Sequence, residues 1–295
     1  MSYQTFPDSA GASDSPAKLK ALQLPDLTGK TVLDIGCNTG FFCMYAKEQG
    51  ASEVTGIDIS AAFISQATER ATEKHLFIEY YLDHWNRIPD KKYDVILFLS
   101  SLHYEKNPVA FFDNIYSHLS DDGILVLECG ISPTYLHKNS ITKQTRHDGV
   151  RFYPDIDTLL KVWLKKFSCR LFGLSVKQDG DNVNRFVIHC SKKVSTVIFI
   201  SGNPSDGKSN LAKRLNPDIC INTDVLFGEE FKDTDVMAKW ESRNGTEYYT
   251  DIILQAIELN CGAELIVVEG YILKDLYEDL KKALRKSFRI WHLQR

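Results

Sequence analysis

Short apolar runs of strand length alternate with longer amphipathic stretches along the 295 residues of the chain. Such alternation is typical of a parallel β-sheet whose strands are connected by helices. A first series of strands is predicted at residues 31–35, 53–57, 76–80, 93–99 and 123–128. Two further β-rich stretches, residues 169–176 and 184–190, are joined by a turn-like segment. We therefore expect an antiparallel strand at the edge of this sheet.

A second series of strands begins directly afterwards, and it is predicted at residues 196–200, 219–222, 265–268 and 289–293. Only residues 191–195 separate it from the first series. A chain of this length is expected to form about two domains. We therefore predict an α/β protein with one domain at residues 1–193 and a second at residues 194–295.

The first predicted strand runs into a loop bracketed by glycines, with the sequence VLDIGCNTG. Gly36 and Gly40 can adopt positive φ and let a ligand approach the backbone closely. The helix that follows offers free N–H groups. Asp58 ends the next strand, where a carboxylate can accept hydrogen bonds from both ribose hydroxyls of a nucleoside. A dinucleotide-dependent oxidoreductase is the alternative, but it requires GxGxxG, and Asn38 occupies the middle glycine position.

Polar residues also follow the other strands of the first series. Asp83 comes after the third strand, and residues 99–103 (Leu-Ser-Ser-Leu-His) come after the fourth. Together with the loop and Asp58, they resemble the successive motifs of class I S-adenosylmethionine-dependent methyltransferases, over about residues 28–192. The resemblance implies a Rossmann-like seven-stranded sheet with an antiparallel last strand. It also explains Asp34, which would repel a pyrophosphate but can face the methionine end of S-adenosylmethionine.

The resemblance further implies where the cofactor and the chemistry lie. Asp83 is expected to hold the adenine amino group, and residues 99–103 are expected to pass close to the transferred methyl. His103 is the candidate base for an acceptor that must lose a proton; the alternative is a histidine that only packs or contacts substrate. The full set of residues expected to bind S-adenosylmethionine is Asp34, Gly36, Cys37, Asn38, Gly40, Asp58, Ile59, Asp83, His84 and Leu99.

Two groups of residues are candidates for closing the methyltransferase site. The opening segment, with Tyr3, Gln4 and Phe6, is expected to fold over the cofactor as a lid. Aromatic and basic residues on the side of the fifth strand are candidates for binding the acceptor, although most could equally be solvated loop residues. These are Tyr135, His137, Arg146, His147 and Arg151.

The second domain opens with a different glycine-rich loop. Its first strand leads into GNPSDGKS, a full GxxxxGKS phosphate-binding loop. Backbone N–H groups of such a loop wrap phosphates, Lys208 is expected to reach the β and γ oxygens, and Ser209 is expected to ligate Mg²⁺. The residues expected to bind ATP are Gly202, Asn203, Pro204, Ser205, Asp206, Gly207, Lys208 and Ser209.

The strands that follow this loop resemble those of P-loop small-molecule and polynucleotide kinases and of the zeta-toxin sugar-nucleotide kinases. The resemblance implies that Asp224 is the general base and that Glu269 helps to hold Mg²⁺; the alternative for Asp224 is a helix N-cap. A GTPase is disfavoured, because no NKxD-like motif is present. In such kinases an arginine-bearing lid follows the fourth strand. The sequence stops near that point at Arg295, so we expect an incomplete kinase module that phosphorylates weakly.

Composition and charge disfavour several classes of binding partner and site. The chain has 35 Lys and Arg, 39 Asp and Glu, and a net charge of −4, so neither domain has the basic excess of a protein that grips nucleic acid. The seven cysteines are scattered, which argues against a zinc site and a disulfide framework. The sequence shows no membrane-spanning run and no signal peptide, so we expect a cytoplasmic protein.

These features predict a bifunctional group transferase. One domain would methylate, most simply at oxygen, and the other would phosphorylate a hydroxyl with ATP. The acceptor is expected to be a sugar, a glycan or a small metabolite, and the oligomeric state is left open. One alternative is a methyltransferase whose P-loop module only binds nucleotide as a regulatory or scaffolding domain. Another is an enzyme that modifies RNA ends.

Overall fold

The structure, a computed structural model, describes most of the chain. The described residues are 3–133, 141–146, 149–177, 180, 182–203, 205–227, 247–260, 263–270, 272, 274–285 and 287–295. The chain divides into two compact units, Met1–Lys192 and Lys193–Arg295. In the described ranges, no helix is both long and apolar enough to cross a membrane.

The first unit contains a seven-stranded sheet with the order β3-β2-β1-β4-β5-β9-β8. The first five strands pair in parallel, whereas β9 runs antiparallel to both of its neighbours, β5 and β8. An antiparallel last strand is therefore confirmed, but its predicted place at the edge is wrong, because β9 is inserted between β5 and the edge strand β8. The strands are β1 (Thr31–Ile35), β2 (Glu53–Asp58), β3 (Glu79–Leu82), β4 (Tyr93–Leu99), β5 (Leu119–Ile131), β8 (Phe167–Leu174) and β9 (Asn184–Lys192).

The first unit contains four α-helices, and three of them begin after a residue whose side chain caps the helix N-terminus. Asp14, Ser60 and Asn107 each precede a helix and accept a hydrogen bond from a backbone N–H of its first turn, which satisfies donors that the helix cannot pair. The helices are α1 (Ser15–Leu22), α2 (Phe41–Glu48), α3 (Ala61–Glu73) and α4 (Pro108–His118). Large apolar clusters fill the core, one around Phe98 and Phe111 and one around Val32 and Leu97.

Two parts of the first unit differ from the sequence prediction. The third strand begins at Glu79, not at residue 76, because Leu76 N still donates to Ala71 O at 2.9 Å and so belongs to the end of α3. A two-stranded antiparallel sheet, β6 (Ile141–Arg146) with β7 (Gly149–Pro154), was not predicted. Apolar and polar residues alternate only weakly along these two strands, so the sequence pattern does not mark them. Their backbone hydrogen bonds join each strand to the other. A π-helical turn, Thr158–Trp163, follows it.

The second unit contains a four-stranded sheet with the order β11-β12-β10-β13, and all of its pairs are parallel. The strands are β10 (Ser195–Ser201), β11 (Ile219–Asn222), β12 (Leu265–Gly270) and β13 (Phe288–Gln294). The helices of this unit are α5 (Lys208–Arg214), α6 (Thr223–Leu226), α7 (Glu247–Glu258) and α8 (Lys274–Leu284).

Helical periodicity explains how the longest helices of this unit pack. In α8 the buried residues Leu276, Leu280 and Leu284 recur every fourth position, which places them on one face of the helix. In α7 Ile253 and Ile257 do the same. These leucines and isoleucines form one apolar cluster with the central strands.

A fragment of residues 1–193 is expected to fold alone, because the seven-stranded sheet and its cores lie within the first unit. Circular dichroism should show α/β structure and one cooperative thermal transition. A matched fragment that ends at residue 183 lacks β9, which pairs with β5 and β8, and should show no such transition. A fragment of residues 1–193 without a cooperative transition would contradict the proposed boundary.

Candidate functional site

The loop between β1 and α2 is fixed by backbone bonds and by one carboxylate. Gly36, Asn38 and Gly40 all have positive φ, at 74°, 52° and 85°, and glycine adopts this region without strain. The N–H of Gly36 donates to Ile57 O at 2.8 Å. The carboxylate of Asp58 accepts from the N–H of Asn38 through one oxygen, at 2.9 Å, and from Ser60 N through the other. Asp58 therefore couples the end of β2 to the loop.

The N-terminal segment, residues 3–14, lies against this loop. The Oε1 atom of Gln4 accepts from Phe41 N and from the Thr39 hydroxyl, both at 3.1 Å, and its Nε2 donates to Cys37 O at 3.2 Å. Gln4 is only 4% exposed. Gly40, the N-cap of α2, has no side chain to cap it. Gln4 therefore supplies the missing cap from 37 residues away in sequence.

A cavity of about 530 Å³ opens at the carboxyl ends of the parallel strands, the position where ligands bind in open α/β sheets. Seven of the ten residues expected to bind S-adenosylmethionine line it, together with the candidate base His103; the seven are Asp34, Gly36, Asn38, Asp58, Ile59, Asp83 and Leu99. The other lining residues are Tyr3, Gln4, Lys18, Phe42, Ile57, Phe63, Trp85, Ser100, Ser101, Tyr104 and Arg151.

Three residues expected to bind the cofactor lie outside this lining: Cys37, Gly40 and His84. A Cβ on Gly40 would lie 2.5 Å from the hydroxyl of Tyr80, so this glycine makes room for a tyrosine. The Cys37 side chain is fully buried in the core. The ring of His84 accepts from Asn86 N at 3.2 Å and belongs to a local turn.

Asp34 lies in β1 and is 2% exposed. Burial raises its pKa from 3.8 to about 7, while the Cys43 thiol, 3.4 Å away, opposes the rise and Asp58 adds to it. Burial has this effect because it disfavours the charged carboxylate. A cationic ligand in the cavity would favour the charged form of Asp34, so this carboxyl would be ionised near neutral pH when such a ligand is bound.

A buried charge cluster lies beside the cavity, at β5 and the turn after β4, and its members Lys18 and Ser100 line the cavity. Glu128 in β5 is 0% exposed, and its Oε2 accepts from the Ser100 hydroxyl at 2.5 Å. Lys18 of α1 donates to the same hydroxyl at 2.6 Å and lies 3.9 Å from Glu128. The Nη1 atom of Arg185 lies 3.6 Å from Glu128. Ser100 reaches both partners from a positive φ of 57°, a strained conformation for a non-glycine residue.

Sequence reasoning missed this charge cluster, but one signal was present. Glu128 interrupts the apolar run ILVLECG, and a carboxylate inside a buried strand needs a cationic or hydrogen-bonding partner. The sequence does not show which cations pair with Glu128, because Lys18 and Arg185 lie far from it along the chain.

The turn after β4 also supplies two ring side chains to the cavity wall, His103 and Tyr104. His103 is 3% exposed, and its ring centroid lies 4.1 Å from that of Tyr104 and 5.6 Å from that of Tyr153. Arg151 donates to the Tyr104 hydroxyl at 2.9 Å, and its guanidinium lies 5.4 Å from the Tyr104 ring centroid. Trp85 donates to Glu105 at 2.7 Å. Of the five acceptor-binding candidates, Arg151 therefore lines the cavity.

The remaining acceptor candidates lie wholly or in part outside the described residues. Tyr135, His137 and His147 lie outside the described residues, as does the side chain of Arg146. In the lid segment, Tyr3 and Gln4 line the cavity. Phe6 does not; its ring packs edge to face on Phe41, with centroids 5.4 Å apart.

The glycine-rich loop of the second unit connects β10 to α5. Lys208 is the first residue of α5, and its ammonium donates to the carbonyls of Gly202 at 3.0 Å and of Asn203 at 2.6 Å. Asp206 accepts from Asn203 N at 2.6 Å, and Gly207 has a φ of 73°. Ser205 and Ser209 are exposed, and Pro204 lies outside the described residues.

The other predicted residues of this unit lie at the ends of β11 and β12. Asn222 donates from its side chain to Glu269 at 3.1 Å, and Glu269 is 5% exposed. Asn222 is also the N-cap of α6, because its side chain accepts from Val225 N. Asp224, in the first turn of α6, is therefore not the cap and is exposed.

The raised pKa of Asp34 predicts a pH dependence of stability. Between pH 4 and pH 7 the folded carboxyl keeps a proton that the unfolded one has released, so the free energy of unfolding should fall as pH rises through this window. The rise from 3.8 to about 7 corresponds to about 4 kcal/mol. Relative to the wild type, Asp34→Asn should gain stability by up to this amount at pH 7 and above, as measured by urea denaturation across pH 4 to 8.

The matched control is Asp121→Asn, at a carboxylate that is 85% exposed, and it should follow the wild-type pH profile. If the Asp34→Asn and wild-type profiles run parallel, the carboxyl of Asp34 is ionised in the folded protein across this range.

Comparison with known proteins agrees with the fold of the first unit. A solved structure from Listeria monocytogenes, assigned to the S-adenosylmethionine-dependent methyltransferases, superposes with a TM-score of 0.51 at 20% identity, covering 61% of this chain and 99% of that one. At this identity the likeness shows the fold alone: a Rossmann-like α/β sheet that is mostly parallel.

Relatives by sequence include enzymes named for different acceptors. A tRNA U34 carboxymethyltransferase of Idiomarina loihiensis is 29% identical over 175 residues, covering 56% of this chain and 53% of the relative. A ubiquinone biosynthesis O-methyltransferase of Pasteurella multocida is 32% identical over 220 residues, covering 70% and 82%. The chain spans about half the length of the tRNA carboxymethyltransferase.

A family model described as a methyltransferase domain matches residues 12–162. This range is just over half of the chain and ends inside the first unit. The comparisons give no support to a kinase. With the fold and the cavity at the strand ends, the match shows that the chain belongs to the methyltransferase-domain family.

Proposed function

We propose that the first unit transfers a methyl group from S-adenosylmethionine to an oxygen atom of a small acceptor. One observation carries this proposal: Asp34, Asp58 and Asp83, at or near the ends of the adjacent parallel strands β1, β2 and β3, line one cavity. These three carboxylates suit the cationic methionine end, the ribose and the adenine amino group of such a cofactor.

The residues present fit this cofactor. The cavity volume of about 530 Å³ lies within the range of small-molecule sites. Gly36 lines the cavity, and a Cβ there would lie only 3.1 Å from the Ser101 hydroxyl, so a side chain at this position would be crowded against the cavity wall. Asp58 would hold the ribose, Asp83 the adenine, and Asp34 the methionine end. When bound, S-adenosylmethionine supplies an activated methyl group on a sulfonium.

The protein's own contribution is alignment, exclusion of water and removal of a proton. Tyr3 and Gln4 line the cavity from the N-terminal segment, where a lid would limit entry of water. His103 is buried and lines the cavity, and we assign it as the base for an acceptor hydroxyl, because a neutral imidazole can accept a proton near pH 7.

The acceptor is proposed to be a small molecule, such as a sugar or another metabolite, rather than RNA. A tRNA carboxymethyltransferase is among the relatives, and that favours RNA as the competing acceptor. However, the chain has a net charge of −4, and proteins that bind nucleic acid tightly neutralise several phosphates with Lys and Arg.

We further propose that the second unit binds ATP with Mg²⁺ and belongs to a kinase module. The supporting observation is the loop Gly202–Ser209 between a central parallel strand and a helix, with Lys208 bonded across its two ends. The strand order, with β10 between β12 and β13, puts this loop at the middle of the sheet. A phosphate would replace the two carbonyls that Lys208 now contacts.

The remaining roles in the second unit follow from position. Ser209 would ligate Mg²⁺, and Glu269, held by Asn222, would help to hold it. Asp224 is exposed at the end of β11, where it could accept the proton of an acceptor hydroxyl. The alternative is a module that binds nucleotide without phosphorylating, and a nucleotide-binding measurement combined with an assay of phosphoryl transfer separates the two.

Replacing Asp58 tests the cofactor proposal. Asp58→Ala should weaken binding of S-adenosylhomocysteine by about 2 to 4 kcal/mol, because two charge-assisted hydrogen bonds are lost. Isothermal titration calorimetry measures the change, and Asp121→Ala, at an exposed carboxylate, is the matched control. Wild-type affinity in Asp58→Ala, or tighter binding of NAD than of S-adenosylhomocysteine, would overturn the proposal.

Replacing Lys208 tests the nucleotide proposal. Lys208→Ala should weaken binding of Mg-ATP at least about tenfold, because a charge-assisted contact to phosphate is lost. The control is Lys213→Ala, an exposed lysine on the same helix, which should bind as the wild type does. Calorimetry that finds no ATP binding to the wild type, or equal binding to Lys208→Ala, would contradict this assignment.

A further inference from the structure

Two cysteine thiols lie opposite each other on the neighbouring strands β8 and β9. Cys169 and Cys190 are register partners in this antiparallel pair, and their sulfur atoms lie 3.7 Å apart. Directly opposed residues of antiparallel strands have Cα atoms about 4.5 to 5.5 Å apart, and a disulfide spans Cα separations of about 4.4 to 6.8 Å. The two sulfurs can therefore reach bonding distance mainly through rotation of their side chains.

The strand that carries Cys169 can take up the small movement that bond formation requires. β8 is the edge strand of the seven-stranded sheet. Its register with β9 shifts between Leu171 and Gly173, close to Cys169, and such irregularities disrupt a strand ladder locally. Bond formation at this position therefore disturbs the centre of the sheet little.

The two thiols differ in their access to solvent. Cys190 is 0% exposed and belongs to the apolar cluster around Phe98 and Phe111, whereas Cys169 is partly exposed and packs against that cluster. The hydrogen bond between the thiols and the burial of Cys190 raise the pKa of the Cys190 thiol well above the usual 9.0. Because oxidation follows exposure and thiolate character, a dissolved oxidant reacts first with Cys169, and Cys190 remains a protonated thiol beside it.

The other described cysteines do not combine these features. Those of the first unit are all buried, including Cys37 and Cys43, which interact with each other. Cys220 is exposed on β11 and is the one described cysteine of the second unit. Within the described ranges, an accessible thiol next to a buried one is thus found at Cys169 and Cys190.

We propose that Cys169 and Cys190 form a site of reversible oxidation, at which a hydroperoxide converts the two thiols into a disulfide between β8 and β9. The sulfur of Cys169 attacks one peroxide oxygen, the O–O bond breaks, and the products are a sulfenic acid on Cys169 and water or an alcohol. The sulfur of Cys190 then attacks the sulfur of Cys169, the S–O bond breaks, and the hydroxyl leaves as water with the thiol proton of Cys190. The peroxide gains two electrons and the thiol pair loses two.

The disulfide would protect Cys169 and fasten the edge of the sheet. A sulfenic acid that meets no second thiol is oxidised further to sulfinic acid, which is irreversible in most proteins, whereas a disulfide returns to two thiols by exchange with an external thiol. The two cysteines are 21 positions apart, so the bond closes a loop that contains the connection from β8 to β9. Neither thiol lines the cavity, which makes this site distinct from the one proposed for methyl transfer.

Peptide mapping by mass spectrometry tests the site on the full, folded chain. The protein is reduced, desalted, exposed to a small excess of hydrogen peroxide, alkylated, and digested with trypsin without reductant. The tryptic peptides 167–170 and 186–192, which carry one cysteine each, should appear joined, two hydrogen atoms lighter than their sum, and should separate in dithiothreitol. Cys169 that stays a thiol, or that is oxidised without a link to Cys190, overturns the proposal. A link that forms only after unfolding in urea does so as well.

Variants establish the order of the two steps. Cys190→Ala removes the second thiol, so Cys169 should accumulate as a sulfenic acid that dimedone labels more strongly than in the wild type. Cys169→Ser removes the accessible thiol, so Cys190 should stay unmodified. The matched control is Cys220→Ser, at an exposed cysteine, which should form the link as the wild type does.

Circular dichroism identifies which variants are folded, and Cys169→Ser carries the test if Cys190→Ala does not fold. Oxidation of Cys190 in a folded Cys169→Ser, or unchanged dimedone labelling in a folded Cys190→Ala, overturns the proposal. Loss of the link in Cys220→Ser would show that Cys220 takes part in the reaction and overturns it too.

Discussion

Burying the carboxylate of Glu128 constrains much of the first unit. An ionised carboxylate without exposure to water is tolerated only with cations and hydrogen bonds around it. Here the partners come from α1, from the turn after β4 and from β9. Satisfying one charge therefore fixes the N-terminal helix and the antiparallel strand against the centre of the sheet. The same requirement holds Ser100 in a strained conformation beside the cavity.

The polar residues of the cavity are placed in two different ways. Asp34, Asp58 and Asp83 are single residues, each at or near the end of one strand, as in other open α/β sheets. Lys18 is instead held by long-range contacts to Ser100 and Glu128. Its position therefore depends on β5, and through the Arg185–Glu128 pair on β9, neither of which supplies a residue near it in sequence.

The local parts of this structure could be predicted from sequence, and the long-range parts could not. The positions of β1, β4 and β11 follow from apolar runs of strand length, and the loop at Gly36 follows from its glycines. Asp58 was also found, because a carboxylate at a strand end has a recognisable position. Gln4 was predicted only as part of a lid and not as the partner of the α2 N-terminus, and Lys18 was given no role, since the sequence position of a polar residue gives no sign of what it contacts. The start of β3 was misplaced for a different reason: the apolar residues before it, which resemble the beginning of a strand, pack at the end of α3.

The wide spacing of the charge cluster also has a consequence for biosynthesis. Lys18 and Arg185 are 167 positions apart, so a ribosome that adds about 5 to 20 residues per second needs roughly ten to thirty seconds to produce the second after the first. During that interval Glu128 emerges before the arginine that matches its charge. The strand that carries Arg185 is also the one inserted between two others. A nascent chain can thus collapse around the earlier strands, but the methyltransferase cavity acquires its final electrostatics only when almost the whole first unit has been translated.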